Sequence, residues 1–208
     1  MPLIVWALIA AASLGLAAIA AWTIRGWLGS RTRVAFIGRP ATGKSTMLHL
    51  LKTGKVPAKG LAPTTEPEEA EISIPGGITI TVTDSGGDRL HQQNQAVSKA
   101  TGVVYFFDAH RVEIGDPDTL SALEADADHI DVMFQTQDHS RRFTLVGTHS
   151  DLLVGSDAVS TVRRHPVVQR LRQAAGAGGD DIVLGSLASN KAALKLAAEV
   201  AKRQGHRA

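Results

Sequence analysis

The chain has 208 residues, with 22 Lys and Arg against 20 Asp and Glu, a net charge of +2 and no cysteine. Basic residues scattered among acids leave no nucleic-acid footprint, so no nucleic-acid partner is expected. The lack of cysteine excludes disulfides, thiolate metal sites, prenylation and palmitoylation, and Met1-Pro2 excludes myristoylation at a second-position glycine.

Residues 2–24 come first in chain order; they carry no charge and only Ser13 and Thr23 as polar side chains. At ~1.5 Å per helical residue the stretch covers the roughly 30 Å hydrocarbon layer of a bilayer, which predicts one transmembrane helix over 1–25. Trp6, Trp22 and Trp27 stand near its ends, as interfacial aromatics do. A cleavable signal peptide would carry a basic leader and a shorter apolar run, and a buried core helix would be shorter. Arg25, Arg31 and Arg33 follow the stretch while no basic residue precedes it, so the positive-inside rule sets the rest of the chain in the cytoplasm. Residues 26–32 then read as a short basic linker and 33–208 as a single domain, held at the membrane by the helix alone.

That domain alternates β-rich runs with helical stretches, the pattern of a layered α/β domain whose mostly parallel sheet is covered on both faces. The first strand is predicted at 34–37. It runs into Gly38-Arg39-Pro40-Ala41-Thr42-Gly43-Lys44-Ser45-Thr46, which is G-x-x-x-x-G-K-[ST] ahead of a helix that starts at Ser45 and that Gly54 closes. A loop that wraps a polyphosphate with backbone N–H groups needs glycine for both the turn and the close approach. Lys44 reaches the β and γ phosphates, and the Ser45 hydroxyl ligates Mg²⁺.

Residues 71–74 and 78–83 flank Pro75-Gly76-Gly77 and read as a hairpin. Its second strand enters Asp84-Ser85-Gly86-Gly87, a D-x-x-G in which Asp84 can hold Mg²⁺ through water and the Gly87 N–H can meet a γ-phosphate. Continuous apolar runs at 103–107, 143–147 and 182–184 suit central parallel strands. Helices are predicted near 88–100, 119–135, 166–175 and 190–203, with Pro166 in a first turn and 176–179 as a loop.

The 143–147 strand leads into Thr148-His149-Ser150-Asp151, a T-x-x-D. A carboxylate there can accept the N1 and N2 hydrogens of guanine, which adenine cannot supply; a turn or helix-capping aspartate is the plain alternative. Gly185-Ser186-Leu187-Ala188 follows the last strand, where a backbone N–H of Ser186 or Leu187 could contact guanine O6.

With these motifs in this order, residues 33–204 resemble the Ras-like and Arf-like small GTPases. The resemblance implies a three-layer P-loop NTPase G domain with a six-stranded sheet and about five helices, GTP or GDP with Mg²⁺, and two nucleotide-sensitive switches. Gly38, Gly43, Lys44 and Ser45 match the phosphate loop, whose Arg39, Pro40, Ala41, Thr42 and Thr46 complete the contact; Asp84 and Gly87 match the second phosphate motif, and Asp151 the base selector. The Mg²⁺-binding switch I threonine falls in Pro63-Thr64-Thr65, with Thr64 ahead of Thr65 because Pro63-Thr64 looks like the Arf pattern; solvated loop threonines are the alternative. One N-terminal span before a small GTPase domain is similar in layout to the β-subunit family of the signal recognition particle receptor.

Three departures from the family pattern bear on function. Thr148 and His149 stand where relatives have Asn and Lys; the threonine hydroxyl can serve the base or the phosphate loop, and the imidazole can lie on the purine as the lysine stem does. Asp88 stands where many relatives place the Gln or His that orients the attacking water, and a carboxylate beside a γ-phosphate adds repulsion. His91, Gln92 and Gln93 follow, more simply read as a solvated helix face. Arg39 is either a charge supplied in cis or an arginine turned away from phosphate. The expected function is a membrane-anchored GTP-binding switch with slow hydrolysis, meeting a protein effector or receptor subunit at its switch surface. The alternative is a near-permanently GTP-loaded docking module. A P-loop kinase would need a lid with arginines, for which Arg141-Arg142 and Arg163-Arg164 are the paired candidates.

Overall fold

The computed structural model describes residues 33–58, 61, 68–74, 78–84, 90–135, 142–176 and 182–205. Strand β1 (Arg33–Gly38) is buried at every position but Arg33, β4 (Gly102–Asp108) at every position but Asp108, and β5 (Arg142–Thr148) at every position but Arg142. Strands buried on both faces belong in the middle of a parallel sheet. With β2 (Glu68–Ile74), β3 (Ile78–Asp84) and β6 (Ile182–Leu184) they form one six-stranded sheet in the order β2-β3-β1-β4-β5-β6. Five strands pair in parallel; β2 lies antiparallel on β3 at the edge, as a hairpin requires. Its pairing begins at Glu68, earlier than predicted, and the tip at 75–77 lies outside the described residues.

Seven helices are described: α1 (Lys44–Thr53), α2 (Leu90–Lys99), α3 (Ala109–Glu113), α4 (Pro117–Gln135), α5 (Ala158–Arg164), α6 (Pro166–Ala174) and α7 (Asn190–Gly205). Because successive strand residues point to opposite faces, β1 and β4 feed two cores. Ala35, Ile37, Tyr105 and Phe107 pack with Val97 of α2, Leu123 and Ile130 of α4 and Leu171 of α6. Val34, Phe36, Val104 and Phe106 pack with Met47 and Leu48 of α1 and Leu196 and Val200 of α7. At ~1.5–3 kcal/mol for each large apolar side chain buried, these layers are what fixes the strands. The strand register then lines up the carboxyl ends, with Phe36 opposite Asp84, Gly38 opposite Phe106 and Asp108 opposite Thr148. That edge is where ligands bind in open α/β sheets.

Two parts of the sequence expectation are corrected. The described fold is the α/β domain, and among the described residues no helix is long and apolar enough to cross a membrane. The longest, α4 at 19 residues, carries Asp118, Glu124, Asp126, Asp128 and Asp131, and the predicted transmembrane helix and linker, residues 1–32, lie outside the described residues. The helix number also rises from about five to seven, because α3 and α5 are too short to show helical periodicity. α3 is set by its cap instead: Asp108 accepts from the Arg111 N–H at 3.0 Å.

Candidate functional site

The loop between β1 and α1 is shaped by backbone conformations that few residues adopt. Gly38 has φ +126°, and a Cβ there would lie 2.2 Å from the Phe106 carbonyl oxygen; Gly43 has φ +90°, and a Cβ would lie 2.5 Å from Leu187 Cδ1. Ala41, between them, has φ +60°, which costs an L side chain on the order of 1 kcal/mol. Lys44 is buried at 6 % exposure, and its ammonium donates to the carbonyls of Gly38 at 2.9 Å and Arg39 at 2.8 Å. Thr42 Oγ1 donates to Arg39 O at 2.8 Å and closes the loop on itself. Ser45 and Thr46 lie in the first turn of α1, so the loop opens on a helix N-terminus, which favours anions.

Arg39 is turned away from the loop's interior. Its guanidinium holds the Asp126 carboxylate on α4 through Nε–Oδ2 at 2.9 Å and Nη2–Oδ1 at 2.6 Å, and donates to Ala122 O at 3.0 Å. The buried Tyr105 hydroxyl donates to the same carboxylate at 2.5 Å; burial, then the Asp126 charge, push the Tyr105 pKa well above its usual value. Of the two sequence readings of Arg39, the geometry favours the one turned away. The sequence read neither Asp126 nor Tyr105, since a partner 87 positions away leaves no local signal.

At the other end of the sheet edge, Thr148 is fully buried, and its hydroxyl lies 3.1 Å from Thr42 O and 3.2 Å from Phe107 O. It therefore ties β5 to the phosphate loop. His149 has φ +57°, and its Nδ1 lies 3.1 Å from Asp108 Oδ2 and 3.2 Å from Thr148 Oγ1. The Asp108 hydrogen bond raises the His149 pKa above its usual 6.5 against the opposing effect of burial. Burial would raise the Asp108 pKa, but the hydrogen bonds from His149 and the Arg111 N–H and the charges of both residues hold it below its usual value. Asp108 was missed from the sequence, although an acid closing a wholly apolar strand is a visible signal.

Asp151 lies exposed on a single 3-10 turn, Ser150–Leu152, which the Ser150 N–H fastens to Gly185 O at 3.2 Å. Ser186 Oγ accepts from the Ala188 N–H at 3.0 Å, and Leu187 packs against Gly43. The phosphate loop, the T-x-x-D turn and the loop after β6 thus converge. Asp84 closes β3 beside Phe36. Thr64, Thr65, Gly87 and Asp88 lie outside the described residues.

The family model for the 50S ribosome-binding GTPase matches residues 33–142, just over half of the 208 residues, from β1 to the start of β5. The chain belongs to this GTPase family. A GTPase domain is therefore present, with the phosphate loop inside the matched stretch. Membership carries guanine-nucleotide binding as the family's chemistry, and the T-x-x-D turn that would read the base stands just beyond the match.

Proposed function

We propose that this GTPase binds GTP and GDP together with Mg²⁺ and acts as a molecular switch that hydrolyses GTP slowly on its own. The observation that carries the reading is the Thr148 hydroxyl on the carbonyl of Thr42, which joins the base turn to the phosphate loop. The edge-strand arrangement, with β2 antiparallel on β3, supports a place among the Ras-like and Arf-like members.

The loop suits a polyphosphate because Gly38 and Gly43, at φ +126° and +90° and packed too tightly against Phe106 and Leu187 to carry a Cβ, give the backbone the turn that such a loop needs. Lys44 would bind the β and γ phosphates with a charge-assisted hydrogen bond, and the N–H groups of 41–46 would face the phosphate oxygens. Among the described residues no group of three or more His, Cys, Asp or Glu could hold a metal. The donor set is instead of the kind that Mg²⁺ shares with substrate phosphates: the Ser45 and Thr64 hydroxyls, and Asp84 through water. Mg²⁺ supplies charge neutralisation at the β and γ oxygens. Asp151 would select guanine, and the backbone at Ser186 and Leu187 would face O6.

Asp88 sets the rate in this reading. A carboxylate cannot donate to the attacking water as an amide can, so turnover depends on a protein partner at the switch surface. Two measurements test it. Titration should show GTP bound far more tightly than ATP; equal affinities would remove the guanine assignment. In single-turnover phosphate release, Asp88→Gln should accelerate hydrolysis by about tenfold or more if a water-orienting amide is what is missing. Slower hydrolysis in that variant would make the carboxylate the catalytic base. No release from either protein, with GTP still bound, would favour the permanently loaded docking module.

A further inference from the structure

We propose that His149 and Asp108 complete the base site: His149 meets the nucleotide through its Nε2–H, and Asp108 is the positioning residue that orients the ring and keeps it charged, so that guanine-nucleotide affinity falls as pH rises. The inference rests on the reading of this chain as a guanine-nucleotide GTPase.

The ring's geometry fixes which nitrogen does what. A carboxylate only accepts, so Nδ1, 3.1 Å from Asp108 Oδ2, carries a proton. Thr148 Oγ1, 3.2 Å away, accepts from the same Nδ1–H while it spends its own proton on the carbonyl of Thr42 or Phe107. The ring therefore hangs from two partners on one edge. Nε2 has no protein partner among the described residues. It is the nitrogen that titrates and the one left for a ligand, in a residue between the Thr148 bridge to the phosphate loop and the guanine-selecting Asp151.

Among the described residues, three charged groups act on the ring: Asp108 at the end of β4, Arg111 of α3 and Asp151 of the 3-10 turn. Both carboxylates favour the imidazolium and Arg111 opposes it, with the hydrogen bond to Asp108 the largest influence. Because pairing raises the folded-state pKa, the ring is fully charged below the ordinary 6.5 and loses its proton only at higher pH. Loss turns Nε2 from donor to acceptor and leaves two carboxylates beside an anionic ligand. Affinity is thus high on the acid side and declines through the His149 titration. The αL backbone at φ +57° holds the side chain at this corner whatever its charge.

The test is calorimetric titration of the full-length protein with GDP from about pH 6 to about pH 9, in wild type, Asp108→Asn and His149→Lys. His149→Lys carries a fixed charge and reports the titration of the nucleotide's own phosphate. Relative to it, wild type should lose about tenfold in affinity across the range, the scale of one charge-assisted hydrogen bond. In Asp108→Asn the same loss should come at lower pH, because the amide still accepts from Nδ1–H but no longer holds the proton on the ring. Asparagine caps helices as well as aspartate, so α3 should survive and the melting temperature should change little. A wild-type profile parallel to that of His149→Lys, or an unmoved midpoint in Asp108→Asn, overturns the proposal and leaves the GTPase reading standing. Absence of GDP binding at every pH overturns both.

Discussion

At the phosphate end of the site, Gly38 and Gly43 hold φ values of +126° and +90° and admit no Cβ, and Lys44 lies on two loop carbonyls. At the base end, Thr148, His149 and Asp108 form a side-chain chain of hydrogen bonds in which two members differ from the residues usual in small GTPases. The contrast is between backbone and side-chain recognition. A phosphate loop works through N–H groups whose directions follow from a few dihedral angles, so its residue types are constrained by conformation. A base turn works through side chains, and a hydroxyl can stand in for an amide wherever the geometry asks only for one bridging hydrogen bond. Substitution should for that reason be tolerated better at the base end than in the loop.

The largest expected effect follows from Lys44, whose ammonium lies inside the phosphate loop. Lys44→Ala removes a buried ammonium that would meet the β and γ phosphates. GTP affinity should drop by more than about 100-fold, near 2.7 kcal/mol or beyond. Calorimetric titration checks it, with a thermal melt to show that the fold persists. Retained tight binding would mean that the backbone alone carries the phosphate end.

The base end should respond more gently. Thr148→Val keeps shape and removes the hydroxyl that joins Thr42, Phe107 and His149. Losing one buried bridging hydroxyl costs roughly 1–2 kcal/mol of stability, and GTP affinity should fall by several fold as the two ends lose register. An unchanged melting temperature together with unchanged affinity would show that the two ends are independent.

How far the sequence discloses each end follows the same division. The phosphate loop is legible because its requirements are local: two glycines, a lysine and a hydroxyl at fixed spacing between a strand and a helix. The central strands and the covering of both sheet faces follow from continuous apolar runs such as 103–107, whereas the strand order comes from the structure. The turn that carries Asp151 is legible from its place after a strand. Asp108 is visible as an acid at the end of an apolar strand, but its pairing with His149 is not, and neither is the Arg39–Asp126–Tyr105 cluster, because each forms only when strands and helices far apart in the chain are brought together. The short helices α3 and α5 escape for a different reason: five and seven residues are too few for a 3.6-residue period to stand out.

The smallest effect separates the two uses of left-handed backbone within the phosphate loop. Gly43 and Ala41 both have positive φ, but Gly43 is hemmed in by Leu187 whereas Ala41 is exposed. Gly43→Ala adds a Cβ where one cannot fit, and should destabilise by about 1–3 kcal/mol or force Leu187 aside. Ala41→Gly runs the other way. It removes the steric cost of an L residue at φ +60°, and although glycine also loses more chain entropy on folding, the net effect should be about 0.5 kcal/mol of added stability. That corresponds to a rise in melting temperature of roughly 1–2 °C for a chain of this size. GTP affinity should stay within about threefold, because the N–H direction at position 41 is set by the neighbouring turns rather than by the methyl group. A drop in melting temperature in Ala41→Gly would mean that the alanine's restriction of the unfolded chain outweighs its strain in the loop, and that the phosphate end owes part of its order to residue type and not only to conformation.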